Sequence, residues 1–181
     1  MNRQLALSLT DDQWPYTYTD HDRQIARAIV FDDSDSLLFT MYFVRAERND
    51  DFGEATIIET AGGGVEPGEE LADAIVRELQ EELGTEVEVV CKLGVVEDYY
   101  NLIHRHNINH YFLCRVRSLG ENHLTKDEAE VFHLSTWKLT YEEAVAEYEK
   151  RATTKLGRLI ANRELPVLHH AMAVLRKMKQ V

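Results

Sequence analysis

An acidic helix bounded by glycines is the feature that most constrains this chain. Residues 69–83 lie between Pro67-Gly68 and Gly84, the usual placing of Pro near the start of a helix and Gly just past its end. The apolar residues of this segment recur at helical spacing: Leu71, Ala72, Ile75, Val76, Leu79 and Leu83. One side of the helix can therefore be buried. Its acids then stand at the edge of the core, where they border a cleft.

The same region holds most of the net negative charge. The chain has 20 Lys and Arg against 32 Asp and Glu, a formal charge of −12, and residues 66–88 contain nine acids and a single base, Arg77. Glu78, Glu81 and Glu82 stand at i, i+3 and i+4, so their carboxylates share one patch of the helix. Carboxylates this close repel one another unless a cation lies between them. Hard divalent ions such as Mg²⁺ prefer oxygen ligands and are the natural occupants.

A glycine run precedes this helix. Gly62, Gly63 and Gly64 have no side chains to keep the backbone away from a ligand, and they can offer a carbonyl oxygen to a metal ion. Loop and helix together are typical of a site that holds a metal pyrophosphate.

The order of predicted elements indicates an α+β, or mixed α/β, fold. Strands are predicted at residues 24–31, 36–44, 56–60, 87–96, 109–116 and 131–139, and helices at 69–83, 141–151 and 165–179, with a polar loop at 45–55. The 181 residues fit one domain, spanning 1–181. Within it, residues 1–20 are predicted to form either an extra strand or an interface arm, and residues 152–181 a C-terminal helical extension.

Composition narrows the function classes. The longest nearly apolar stretch, residues 37–44, is far shorter than the roughly 18 residues that a membrane span needs, so no membrane contact is expected. The acidity argues against a nucleic-acid partner, because duplex binding depends on basic residues. The first ten residues lack an apolar signal-peptide core. Two cysteines without a CxxC pair favour a reduced, cytoplasmic setting.

One segment resembles a known signature. Gly63, then Glu69 after five residues, then the run RELQEELG at residues 77–84 after seven more, are similar to the Nudix box of MutT-like hydrolases. That family acts on a nucleoside diphosphate linked to another moiety. The resemblance implies a Nudix-type α/β/α sandwich with a mixed sheet and a loop-helix-loop catalytic motif. Thr85 departs from the aliphatic residue usual there, and we expect only a packing adjustment.

The resemblance also implies roles for the box residues. The implied ligands of Mg²⁺ (or Mn²⁺) are Glu78, Glu81, Glu82 and the backbone carbonyl of Gly62. Arg77 with Glu69 braces the helix and the loop. Members of this family take a general base from the box or from a later loop, so the candidates are Glu82 and Glu128, of which Glu128 is preferred. Glu81, Glu82, Arg77 and Glu128 are thus the predicted catalytic residues.

Five residues are candidates for substrate binding: Gly63, Gly64, Arg45, Tyr100 and His106. Arg45 can match a phosphate through its guanidinium. Tyr100 lies near a tyrosine position of dinucleoside polyphosphate hydrolases, with ordinary packing as the alternative. His106 belongs to the run HRHNINH, in which alternation would place His104, His106 and His110 on one strand face. Glu59 resembles a position in ADP-ribose and nucleotide-sugar pyrophosphatases.

The sequence therefore predicts an enzyme. We expect a metal-dependent hydrolase that cleaves a phosphoanhydride bond in a small-molecule nucleotide: ADP-ribose or a nucleotide sugar, a dinucleoside polyphosphate, or a (d)NTP. The alternative is a weak or inactive Nudix-fold module that senses nucleotides. The presence of every box acid favours the enzyme. A homodimer is the expected assembly, because dimers are the commonest oligomers.

Overall fold

The chain folds into a mixed sheet covered by helices. A computed structural model describes residues 3–35, 39–50 and 53–179, without the side chains of residues 48–50 and 53–55. Its strands are β1 (Leu5–Ser8), β2 (His21–Asp32), β3 (Thr40–Asp50), β4 (Gly53–Glu59), β5 (Ala61–Gly64), β6 (Thr85–Tyr100), β7 (Arg105–Leu119) and β8 (Ser135–Thr140). Its α-helices are α1 (Leu71–Leu83), α2 (Lys126–Glu130), α3 (Tyr141–Arg151) and α4 (Lys155–Lys179). None of the described helices is long and apolar enough to cross a membrane.

The strands form one sheet in the order β1-β6-β7-β2-β3-β4. β5 pairs with β2, and β8 pairs with β3. β1 runs parallel to β6 and β2 parallel to β7, whereas the other pairs are antiparallel. The extra-strand alternative for the N-terminal segment therefore holds for β1.

Helices cover both faces of the sheet. On one face, α1 buries Ala74, Ile75, Leu79 and Leu83 against apolar residues of β2, β3 and β7. On the other face, α3 and α4 pack on a second and larger apolar cluster. The predicted α+β sandwich with a mixed sheet is confirmed.

The box helix ends where its glycine predicts. Gly84 adopts a left-handed conformation with φ of 64°, and its N–H donates to the Gln80 carbonyl. Thr85, the departure from the family pattern, is buried, and its hydroxyl donates to the Leu79 carbonyl at 3.3 Å. A buried hydroxyl costs free energy unless it is hydrogen-bonded, and the Leu79 carbonyl provides its acceptor.

Three element predictions were wrong in their bounds. Residues 45–55 were predicted as a polar loop, but β3 continues to Asp50 and β4 begins at Gly53. Residues 131–139 were predicted as a strand, but β8 covers only Ser135–Thr140 and follows α2. The C-terminal helix begins at Lys155 instead of residue 165 and contains Pro166 in its interior. Residues 36–38 of the second predicted strand lie outside the described residues.

Candidate active site

The glycines of β5 bring the backbone against α1. A Cβ at Gly63 would lie 2.5–2.7 Å from the carboxylate atoms of Glu78. Gly62 has φ of +143°, and a Cβ there would lie 2.1 Å from the Ala26 carbonyl oxygen of β2. A side chain at Gly63 would push Glu78 of α1 away from the strand, whereas one at Gly62 would collide with the backbone of β2. Glycine is therefore what allows the box helix and β5 to meet.

Glu82 is fixed from the strand side. The Gly62 N–H donates to its carboxylate at 2.8 Å. Burial raises the pKa of Glu82 to about 8, although the Gly62 hydrogen bond and the Arg27 charge act in the opposite direction. The pKa of Glu78 is also raised, first by burial and further by the charges of Glu81 and Glu128. The site therefore holds carboxyl groups that are costly to ionise without a nearby cation.

Arg77 supplies the positive charge that stands among these acids. It donates to both carboxylate oxygens of Glu69 at 2.9 Å, and to Glu78 at 2.8 Å. It also donates to Glu81 at 3.4 Å and to the Gly64 carbonyl at 3.1 Å. Arg77 thus ties α1 to the loop and to β5, the bracing that the resemblance implies. The Arg77 hydrogen bonds lower the pKa of Glu69 to about 2.

The carboxylate oxygens of the box suit a hard divalent cation, although they are not already arranged around one point. No three acidic, histidine or cysteine side chains in the described part of the chain are arranged to hold a metal ion. The reason is that Arg77 contacts Glu78 and Glu81, while Glu82 accepts from Gly62. One guanidinium nevertheless faces more carboxylates than it can neutralise. An oxygen-rich patch with excess negative charge suits Mg²⁺ or Mn²⁺.

Glu128 lies near this patch. It is the third residue of α2, where it forms a capping box with Thr125: the Thr125 N–H donates to its carboxylate at 2.7 Å. Its negative charge contributes to the raised pKa of Glu78 and of Glu82. The segment before α2 contacts the box helix, where the His123 N–H donates to the Glu81 carbonyl at 2.7 Å.

The other candidates for substrate binding lie apart from the carboxylate patch. Arg45 forms an ion pair with Glu47 at 2.7 Å and lies 5.5 Å from the centre of the Trp137 ring. None of these contacts reaches the box, so the structure does not bring Arg45 to the carboxylates. Tyr100 lines a separate recess on the α4 side of the sheet.

The histidine run does not share one strand face. His104 precedes β7 in a left-handed conformation with φ of 56°, which alternation along a strand could not anticipate. His106 and His110 do lie on β7. The His106 Nδ1 atom lies 2.7 Å from Asp22, and its ring stacks on Tyr99 at 4.5 Å. Its described contacts are with two acids, Asp22 and Glu97, and with the ring of Tyr99.

With this geometry in view, comparison with known proteins identifies the family. The model of the NUDIX domain matches residues 21–160. The chain belongs to the NUDIX family. The prediction of a Nudix pyrophosphohydrolase is confirmed at the level of the family. A search of the curated proteins found no match.

Several solved structures share the NUDIX fold of this chain. A NUDIX hydrolase from Nitrosomonas europaea is 18% identical with a TM-score of 0.63, over 84% of this chain and 90% of that one. An Ap4A hydrolase from C. elegans is 15% identical with a TM-score of 0.57, over 86% and 98%. A MutT NUDIX hydrolase from Burkholderia pseudomallei is 17% identical with a TM-score of 0.52, over 68% and 86%. At such identities the likeness shows the fold alone.

The chain also contains a largely buried charge network that the sequence did not reveal. Glu59 pairs with Arg163 of α4 at 2.7 Å and with Arg27 of β2 at 3.8 Å. Arg163 also pairs with Asp98 at 3.4 Å and Glu164 at 3.0 Å. Arg23 and Arg27 stand four residues apart in β2 and so share one face of the strand, which is the one sequence signal that could have indicated Arg27.

Proposed function

We propose that this NUDIX protein is a metal-dependent hydrolase that cleaves a phosphoanhydride bond in a nucleoside diphosphate linked to another moiety. The observation that carries the proposal is the packing of the box acids directly against the β5 glycines. This arrangement places carboxylate oxygens of α1 beside the backbone of β5, with the Arg77 guanidinium bridging Glu78 and the Gly64 carbonyl. Its substrate is a small nucleotide: ADP-ribose or a nucleotide sugar, a dinucleoside polyphosphate, or a (d)NTP.

The residues proposed to hold Mg²⁺ or Mn²⁺ are Glu78, Glu81, Glu82 and the carbonyl of Gly62. When bound, the ion would neutralise charge on the phosphoryl group and acidify or align the attacking water. Binding requires Glu78 and Glu81 to exchange their contacts with Arg77 for the ion.

The chain's own groups would position the substrate and move a proton. Gly63 and Gly64 leave room for phosphate oxygens beside β5, and Arg77 holds the Gly64 carbonyl and so the strand in place. Our preferred general base is Glu128, whose charge helps to raise the pKa of Glu78 and of Glu82. Glu82 is the alternative. A base in this position would accelerate hydrolysis about 10²- to 10⁴-fold.

The proposal is tested by incubating the purified protein with Mg²⁺ or Mn²⁺ and a panel of these nucleotides, with analysis of the products. We expect Glu81→Gln and Glu82→Gln to lower turnover by at least about 10²-fold while the protein stays folded, because a ligand to transition-state charge is removed. Near-wild-type turnover in both variants would overturn the ligand assignment.

The alternative function is a nucleotide-sensing module of the same fold. It predicts that nucleotides bind and raise the melting temperature of the protein, but that no panel member is cleaved with either metal. Product analysis and thermal shift on the same samples separate the two functions.

The same preparation, measured by light scattering at several concentrations, tests the proposed homodimer.

A further inference from the structure

A recess on the α4 side of the sheet is rich in arginine. It has a volume of about 190 Å³ and is lined by, among others, Arg23, Arg27, Arg105 and Arg163. Only two acids line it, Glu59 and Asp98. The lining therefore carries an excess of two positive charges, in a chain whose formal charge is −12.

The two inner arginines are already neutralised. Arg163 pairs with Glu59, Asp98 and Glu164. Arg27 pairs with Glu59 at 3.8 Å and donates to the Thr60 carbonyl at 3.0 Å and to Asn109 at 3.2 Å. The two acids of the recess are thus paired with the inner arginines, Arg163 and Arg27. The excess positive charge therefore belongs to the two arginines at the mouth of the recess.

Arg23 and Arg105 form that mouth. They lie on the neighbouring parallel strands β2 and β7, where His21 is the register partner of Arg105 and Arg23 that of Asn107. Among the described side chains, no acid forms an ion pair with either arginine. The pKa of Arg23 is lowered, first by burial and then by the charges of Arg105 and Arg27. Like charges held together at a concave surface favour an anion between them.

The recess adjoins the proposed catalytic cleft through one residue. A Cβ at Gly64 would lie 3.7 Å from the Nη2 atom of Arg23, on the recess side of β5. The carbonyl of the same residue accepts from Arg77 of the box. Gly64 thus lies between Arg23 of the recess and Arg77 of the box, which places the two basic groups close to one residue of β5. The volume is below the roughly 300–1,000 Å³ of pockets that enclose whole drug-sized ligands, so the recess fits a small group.

We propose that Arg23 and Arg105 bind a phosphate group of the substrate that lies beyond the diphosphate being cleaved. The inference rests on the proposed function and narrows its substrate class. Substrates with an additional phosphate are preferred over those whose distal part is a neutral sugar. That phosphate belongs either to a longer polyphosphate chain or to a phosphorylated sugar. Guanidinium groups suit it because they bind phosphate oxygens in bidentate fashion.

The first experiment measures binding without turnover. Tripolyphosphate is titrated by calorimetry into the metal-free protein at low salt, for the wild type and for Arg23→Gln and Arg105→Gln. We expect each substitution to weaken binding about tenfold or more, because a charge-assisted phosphate contact is lost. Arg117→Gln, which removes an exposed arginine from the same strand as Arg105, is the charge-matched control and should change the affinity by less than about twofold.

Folding is checked on the same variants. Because Arg23 forms no ion pair with the acids that the structure describes and is repelled by Arg105 and Arg27, Arg23→Gln should melt at the wild-type temperature or above it in the absence of phosphate. Tripolyphosphate should raise the melting temperature of the wild type more than that of the variant. Arg23→Lys keeps the charge but loses the bidentate contact, and its affinity should lie between the two. Equal affinity for tripolyphosphate in the wild type, Arg23→Gln and Arg105→Gln would overturn the proposal.

The second experiment compares substrates. Catalytic efficiency is measured on ADP-ribose, on ADP-ribose phosphorylated at its distal sugar and on a nucleoside tetraphosphate, so that the two phosphate sources are separated. Arg23→Gln should lower kcat/KM about tenfold on at least one phosphorylated substrate and less than about twofold on ADP-ribose. An equal effect on all three would overturn the inference and leave the hydrolase intact. If no substrate is cleaved, the proposed function fails, while tripolyphosphate still tests the recess.

Discussion

At the scale of single residues, two neighbouring glycines of β5 lie against different surfaces of the molecule. Gly63 faces the Glu78 carboxylate, whereas Gly64 faces Arg23 on the other side of the strand. Successive residues of a strand point to opposite faces, so β5 separates the acidic cleft from the basic recess. The sequence predicts the need for small residues in this strand, but it does not show which neighbour each one meets.

Gly63→Ala tests this packing. The added methyl group would lie 2.5 Å from the nearest oxygen of Glu78, so the carboxylate has to move. We expect turnover to fall by roughly 10²-fold, because small displacements of a catalytic group are costly. The measurement is kcat on whichever panel substrate the wild type cleaves.

Gly64→Ala is the matched control. Its methyl group would meet only Arg23, at an ordinary contact distance of 3.7 Å. Gly64 is itself a proposed substrate-binding residue, so some loss of turnover is expected, but a smaller one than for Gly63→Ala, because no carboxylate is displaced. Equal losses would show that flexibility of the glycine strand matters and the position of Glu78 does not.

At the scale of elements, the ends of α1 explain why its prediction succeeded. The apolar spacing and the glycine at residue 84 are local signals, and the structure uses both. α4 was predicted ten residues short because an interior proline costs about 3 kcal/mol in a helix. Here Ile160, Ala161, Val167 and Leu168 are buried on both sides of Pro166, and this tertiary burial outweighs the local penalty. Asn162, whose carbonyl loses its i+4 donor to the proline, is an exposed residue.

Gly84→Ala should destabilise the protein more than Gly68→Ala. Both glycines have positive φ, +64° and +79°, so each alanine costs about 1–2 kcal/mol of backbone strain. At Gly84 the methyl group would also lie 2.5 Å from the Glu121 backbone, whereas at Gly68 nothing lies within 4 Å. Urea unfolding should therefore show a loss greater by about 1 kcal/mol or more at Gly84. Equal losses would mean that Glu121 moves away freely.

The β2–β3 connection should depend on pH through Asp32. Its pKa is lowered to about 2 by hydrogen bonds from the Ser34 hydroxyl and backbone N–H, and then by Lys138. Because the folded pKa is below the ordinary value of 3.8, the stabilisation is complete above about pH 4 and is lost as pH falls through about 2. Asp32→Asn should cost about 1 kcal/mol at pH 7. Urea unfolding at several pH values should show this difference vanish below about pH 2, and a constant difference would contradict the assignment.

At the scale of the whole molecule, buried ion pairs join α4 to the sheet. Arg163 reaches Glu59 of β4 and Asp98 of β6, and Glu164 accepts from Tyr111 of β7 at 2.8 Å. The sequence could not predict this network, because its members come from four elements that are far apart along the chain. The arginine-rich recess could not be predicted either, because β2 and β7, which carry Arg23 and Arg105, become neighbours only in the folded sheet.

Arg163→Met should be strongly destabilising. It leaves the buried carboxylates of Asp98 and Glu164, and the half-buried one of Glu59, without their shared cation, a loss of about 3–5 kcal/mol. Arg158→Met removes an exposed arginine from the same helix and should cost less than about 1 kcal/mol. The two variants are compared by urea unfolding at pH 7. Equal stability would show that water or side-chain movement compensates inside the network.

Manganese binding tests the central claim, that the box acids hold a divalent cation, most directly. Mn²⁺ is titrated into the substrate-free wild type and Glu82→Gln, and free ion is followed by electron paramagnetic resonance. The account predicts that the wild type binds Mn²⁺ and that the substitution weakens binding by about tenfold or more, because a carboxylate ligand is lost. Unchanged affinity in the variant, or no binding by the wild type at millimolar Mn²⁺, would contradict it.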